Sequence, residues 1–187
     1  NYVKIAKVYT GRQFSETERG PLAEMGLNIK PGTYLLAING KPVSSKSDFH
    51  QMLVGMVGRP VTLTINDKPS TEGARKVEVR PVADETNLRY ASWVDENRKK
   101  VEQMSGGKLG YLHVPDTSIP GAIEFIRGFY SQTDKEGWVI DERYNGGGMI
   151  PTFFIEFLQR EYVAKMKARN WKDIGFPTGT MEGPKVM

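Results

Sequence analysis

Apolar residues along this chain follow two rhythms, and the change between them falls near residue 84. In the first stretch they come in short runs that alternate with polar residues, as in strands with one buried face. Val3-Lys4-Ile5-Ala6-Lys7-Val8-Tyr9 predicts a strand over 3–9. Pro31-Gly32 introduces a second run, Tyr34-Leu35-Leu36-Ala37-Ile38, which stops at Asn39-Gly40, a strong turn pair. Phe49, Met52, Leu53 and Met56 stand at helical spacing behind Ser45 or Ser47, either of which can cap a short helix. Val61, Leu63 and Ile65 alternate with Thr62 and Thr64, and Lys76-Val77-Glu78-Val79-Arg80 alternates likewise before Pro81 confines it to a sheet edge or a strand end. Residues 1–83 read as a small α+β unit, one sheet with one helix.

From Asp84-Glu85-Thr86 the spacing is helical. Leu88, Ala91, Val94, Val101 and Met104 fall near one face of a long helix that Gly106-Gly107 terminates. A domain boundary is therefore expected between residues 83 and 84. Leu109 to Val114 reads as a strand, Pro120 opens a helix bearing Ala122, Ile123, Ile126 and Phe129, and Trp138-Val139-Ile140 is a short apolar strand. A further helix bears Phe153, Phe154, Phe157 and Leu158. Strand, helix, strand, helix is the order of parallel α/β construction, whose sites lie beyond the carboxyl ends of the strands. That places Asp141 to Gly148 where chemistry is expected.

Composition narrows the class. The chain has 187 residues, 39% apolar and 26% charged, which are globular proportions with room for one or two small domains. No apolar run approaches the roughly 20 residues that span a bilayer, and the polar start at Asn1-Tyr2-Val3-Lys4 carries no signal-peptide core. With no cysteine, disulfide frameworks, thiol catalysis and cysteine-ligated metal centres are excluded, and the compartment stays open. Residues 1–83 hold 12 basic and 7 acidic side chains against 14 and 15 in 84–187, an asymmetry that fits two separate domains. The longest basic cluster, Asn97-Arg98-Lys99-Lys100, follows Asp95 and Glu96 at helical pairing distance, so it reads as a solvated helix face and not as a nucleic-acid footprint.

The sharpest local feature is Trp138-Val139-Ile140-Asp141-Glu142-Arg143-Tyr144-Asn145-Gly146-Gly147-Gly148, a buried strand running into three glycines and then a helix. Three glycines permit unusual φ values and close approach of a ligand to backbone N–H groups, so the loop can hold a phosphate or a developing oxyanion, or can be a plain flexible turn. Neither the G-x-G-x-x-G spacing nor the Lys-Ser/Thr ending of a P-loop is present. The two histidines, His50 and His113, have no carboxylates placed to complete a metal site; His50 reads as a surface or groove residue and His113 as a wall or satisfied core position. No G-x-S-x-G elbow occurs, and Ser105-Gly106-Gly107-Lys108 reads as a helix terminator. Asp141 and Glu142 would point to opposite faces of a strand and so do not form a carboxylate pair.

Longer motifs carry a resemblance. Gly20-Pro21-Leu22-Ala23-Glu24-Met25-Gly26-Leu27-Asn28-Ile29-Lys30-Pro31-Gly32, followed by Tyr34-Leu35-Leu36-Ala37-Ile38-Asn39-Gly40-Lys41-Pro42-Val43, resembles a PDZ domain of the bacterial and archaeal protease type. Leu88-Arg89-Tyr90 with Trp93-Val94-Asp95-Glu96-Asn97-Arg98, then Gly110-Tyr111-Leu112-His113-Val114-Pro115-Asp116 and Val139-Ile140-Asp141-Glu142-Arg143-Tyr144-Asn145-Gly146-Gly147-Gly148, resemble the catalytic core of tricorn-type proteases, relatives of the tail-specific serine peptidases. The resemblance covers nearly the whole chain. It implies a PDZ-like domain over 1–83, without its first strand and carboxylate-binding loop, and the front part of a ClpP/crotonase-like α/β core over 84–187.

The resemblance also implies a mechanism. Family members use a Ser nucleophile in a Gly-Ser-x-Gly turn and a His base before the PDZ segment, and neither lies in this chain. The Ser turn is expected soon after the core strand that Gly183-Pro184-Lys185-Val186-Met187 begins. What transfers is an oxyanion-hole N–H, at Gly147 first and Gly146 second. His113 falls inside a motif that is structural in the family. Phe49, Met52 and Leu53 would form one wall of a peptide groove. The family places a substrate-selecting acid after the glycine-loop helix, where this sequence has Lys165, Lys167, Arg169 and Lys172 with only Asp173 nearby. The implied partner is a peptide or unfolded-protein substrate, in a full-length protein that can form a homo-oligomer, with no nucleic acid, membrane span, metal or organic cofactor. By itself the 187-residue chain is expected to be inactive. The alternative is a non-enzymatic PDZ-type adaptor that binds peptide C-termini.

Overall fold

A computed structural model describes residues 2–12, 15 and 18–187. The chain divides into two compact units, residues 1–93 and 94–187, with the division inside a long helix. The first unit is an antiparallel sheet of β1 (Val3–Lys4), β2 (Tyr34–Ile38), β3 (Lys41–Pro42), β4 (Val61–Asn66) and β5 (Arg75–Val79). Its order is β1-β2-β4-β5, with β3 folded back on β2. Val61, Leu63 and Ile65 of β4 are buried and alternate with half-exposed Thr62, Thr64 and Asn66, as the period-2 pattern requires. They pack with Ile29, Ile38, Val43, Val77 and Val79 into the unit's core. The β2–β3 turn is Asn39-Gly40 with φ of +48° and +78°, the pair of positive values that a two-residue hairpin needs. The Asn39 side chain also accepts the Thr62 N–H at 2.9 Å, tying the turn to β4.

Two elements differ from the pattern-based reading. The strand expected over 3–9 is regular only at Val3–Lys4; Ile5 continues it by exchanging bonds with Thr33 and Gly32, at 2.8 and 2.7 Å. The helix expected around Phe49 is a single 3₁₀ turn, Gln51–Leu53, with His50 in place of a serine at its start. Ser44 and Ser47 instead bond each other across their own turn, and Gly55 at φ +74° ends the helical run after too few residues for an α-helix to repay its nucleation.

Helix α1 (Thr86–Met104) stops where Gly107 donates to the Glu102 carbonyl at 2.7 Å and Gly106 takes φ +61°. The second unit is a parallel sheet in the order β10-β7-β6, built from β6 (Leu109–His113), β7 (Gly137–Asp141) and β10 (Lys185–Val186). Helices α2 (Ile119–Tyr130) and α3 (Pro151–Leu158) follow β6 and β7. Phe125 and Phe129 of α2 meet Phe154 and Phe157 of α3 against Leu112, Trp138 and Ile140. The Phe125 ring is fully buried and stands edge-on to Phe154 and Phe157 at 5.4 and 5.1 Å. A hairpin, β8 (Ala164–Met166) and β9 (Ile174–Phe176), has no counterpart in the sequence reading, because β8 is exposed throughout and buries no face to create a pattern.

Because Phe125 joins both helices to the sheet, Phe125→Ala is expected to cost the second unit about 3–5 kcal/mol, read as a lower urea midpoint. A loss below about 1 kcal/mol would mean that the ring cluster is not the centre of this core.

Candidate functional site

Parallel pairing sets His113, the last residue of β6, opposite Asp141, the last of β7. Lys185 and Val186 of β10 pair with Trp138 and Val139, so this strand points toward the same sheet edge. Beyond that edge the glycine run is clasped against residues 114–118 by main-chain bonds. Gly146 N–H donates to Pro115 O at 2.9 Å, Thr117 N–H to Gly147 O at 2.8 Å and Ile150 N–H to Thr117 O at 2.9 Å. The Asn145 side chain adds a bond from Nδ2 to Val114 O at 3.2 Å.

The glycines do different work. A Cβ at Gly148 would lie 2.2 Å from the Thr117 carbonyl carbon, so only glycine allows the two backbones to touch. Gly147 has φ +79° and open space where a Cβ would be, so its requirement is conformational. The N–H of Gly147 donates to Asn145 Oδ1 at 2.7 Å, a side-chain acceptor two residues back, whereas that of Gly146 is committed to main chain. The amides of Gly148 and Met149 have no acceptor among the described residues.

Under the loop lies a polar cluster. The Asp141 carboxylate is buried and accepts Tyr111 Oη–H at 2.6 Å, Arg143 Nη2–H at 2.5 Å and Arg143 N–H at 3.0 Å. The Arg143 bonds, more than any other contact, hold the Asp141 carboxyl well below the usual carboxylate range. Burial first, and then the neighbouring Asp141, push the Tyr111 hydroxyl above its ordinary value. Asp116 caps the start of α2, taking the Ser118 hydroxyl and the N–H groups of Ser118 and Gly121, and the hydroxyl bond is foremost in lowering its pKa.

Comparison with known proteins fits this architecture. The family profile described as Tricorn protease PDZ domain matches residues 1–84. The crystal structure of the tricorn protease superposes on 99% of this chain with a TM-score of 0.88 and 28% identity, using 18% of that chain. Tricorn protease homolog 1 of Streptomyces coelicolor is 35% identical over 183 residues, 98% of this chain and 17% of its own length. The tricorn protease of Thermoplasma acidophilum is 31% identical over 180 residues, 96% of this chain and 16% of its own. The chain belongs to the tricorn-type proteases. It spans less than a fifth of the length of these relatives.

In this tricorn-type segment the remaining candidates fall as follows. His113 is buried and its Nε2 bonds the Arg143 carbonyl at 2.8 Å. His50 is exposed, its ring against Phe49 at 4.4 Å. Ser105 Oγ accepts the Leu109 N–H at 3.0 Å and donates to the Glu102 carbonyl, as a helix terminator does. Phe49, Met52 and Leu53 are half-buried against the first unit's core, and Val54 and Val57 are the apolar side chains exposed beside them. A separate cleft of 750 Å³ in the first unit, lined by Arg19, Glu24, Val57, Arg80 and Asp84, had no signal in the sequence. No group of acids and histidines among the described residues could hold a metal ion, and no helix there is long and apolar enough to cross a membrane. The residue that sequence reasoning passed over is Tyr111, whose partner Asp141 lies 30 positions away.

The depressed carboxyl of Asp141 stabilises the fold above the ordinary carboxylate pKa of about 3.9, and this contribution fades as pH falls from there toward the lower native value. Asp141→Asn is expected to be less stable than the parent chain near neutrality, with the gap in denaturant unfolding closing between about pH 5 and pH 2. A gap that does not change with pH would remove the assignment.

Proposed function

We propose that this chain is the peptide-binding and loop-bearing part of a serine endopeptidase that acts on peptides or unfolded proteins. In this reading Gly147 supplies one oxyanion-hole N–H, and the Ser nucleophile and His base lie in segments of the full-length protein outside these residues. The PDZ-like domain over 1–83 contributes a peptide groove walled by Phe49, Met52 and Leu53, and the core domain begins at residue 84. The observation that carries the proposal is the loop itself. The Gly147 N–H is held only by a side-chain oxygen, Asn145 Oδ1 at 2.7 Å, which must swing aside for a substrate oxyanion to take its place. Gly147 is preferred over Gly146 because the Gly146 N–H is locked to the Pro115 carbonyl and cannot be offered to a ligand without opening the clasp. The parallel register of β10 supports the same reading, since it aims that strand at the edge where the loop lies.

Donors preorganised in this way are worth about 10²–10³ in rate when one is removed. In the full-length protein, Gly147→Val is expected to lower kcat on a fluorogenic peptide by that order, because a β-branched residue resists φ +79° and turns the N–H away, with the circular dichroism spectrum retained since the strain falls in an exposed loop. Unchanged hydrolysis would remove Gly147 from the mechanism. The 187-residue chain alone is expected to hydrolyse none of the same peptides, and activity sensitive to a serine-directed inhibitor in that preparation would contradict the placement of the nucleophile.

A further inference from the structure

Three buried side chains, Tyr111, His113 and Asp141, sit beneath the glycine loop and have no part in the reading above. All three converge on Arg143. Its N–H donates to Asp141 Oδ1 at 3.0 Å, and its Nε–H reaches both carboxylate oxygens at 2.9 and 3.0 Å. Its carbonyl is met by His113 Nε2 at 2.8 Å; a carbonyl only accepts, so His113 carries a proton on Nε2. Both main-chain groups of Arg143 are thus held by side chains from the last positions of two adjacent strands, paired in register. Tyr111 precedes His113 by two residues and shares its face of β6, and its hydroxyl bond to Asp141 Oδ2 fixes the carboxylate's rotation. The chain then passes through Tyr144 at φ +65° straight into the clasp at Asn145 and Gly146.

We infer that Asp141, Tyr111 and His113 are positioning residues that fix the Arg143 backbone and, through it, the direction in which the loop amides point. The inference rests on the proposed oxyanion role of the loop. Between the anchored Arg143 and the clasped Gly146 only two residues intervene, so a rotation at Arg143 strains the clasp that sets the direction of the Gly147 amide. An oxyanion donor works only at about 2.7–3.1 Å from the developing charge, and a misplacement of about 1 Å can cost about 10²-fold.

The test uses the full-length protein with Tyr111→Phe and His113→Phe, each keeping a ring and losing the hydrogen bond, beside Gly147→Val. Both ring variants are expected to lower kcat by about 10- to 100-fold with KM nearly unchanged. A peptide aldehyde, whose adduct oxygen occupies the oxyanion position, should lose affinity by the same factor. If Gly147→Val abolishes turnover while both ring variants keep it, the positioning inference is wrong and the loop reading stands. Normal turnover in all three overturns both. A loss that merely follows the melting temperature, with substrate and aldehyde weakened alike, also overturns the inference. In the 187-residue chain, Tyr111→Phe is expected to move the amide resonances of Gly146 to Gly148 and to leave those around Phe125 in place. Unmoved loop resonances would count against the inference even if a variant proved too unstable to assay.

Discussion

The parallel pairing of β6 with β7 governs the second unit, because it delivers two strand ends to one edge of the sheet and leaves two chains to turn back over it side by side. His113 stands opposite Asp141 through that pairing alone. The segments that leave those ends, 114–118 and 142–150, run side by side and join part of their main chain to each other with the bonds around Pro115, Thr117, Gly146 and Gly147. The aromatic cluster of α2 and α3 packs against one face of this sheet.

Much of the fold was legible because burial imposes a period. The alternation in β4 and β5, Phe129 of α2 and Phe154 and Phe157 of α3 stand where one-sided burial predicts them, and the Asn39-Gly40 turn and the glycine stop of α1 stand where positive φ is needed. In α2, however, Ile123 is exposed and Phe125, which the pattern did not single out, takes the centre of the core. The errors fall where that logic weakens. Residues 5–9 lie largely outside regular pairing despite an apolar run, the segment at Phe49 is too short to be an α-helix, and β8 shows no period because it has no buried side.

The site was legible only in part, for a similar reason. Three glycines after an apolar strand predict close approach of a ligand to the backbone; at Gly148 the close neighbour in the fold is the chain itself, at Thr117. Spacing alone could not show that Gly146 and Gly147 have different obligations, since the partners that separate them, Pro115 and Asn145, are read from a folded loop. The Tyr111–Asp141 contact was hidden more deeply. It depends on the register between two strands separated by a whole helix, and no local sequence rule encodes that register.

The clasp around the glycine loop is written almost entirely in peptide groups: the donors and acceptors at 115, 117, 146, 147 and 150 belong to the main chain. Side chains at 115, 117 and 150 can therefore be exchanged without erasing a single one of those bonds, provided position 148 stays bare. A loop fastened in this way depends on its backbone path more than on the identity of the side chains that flank it.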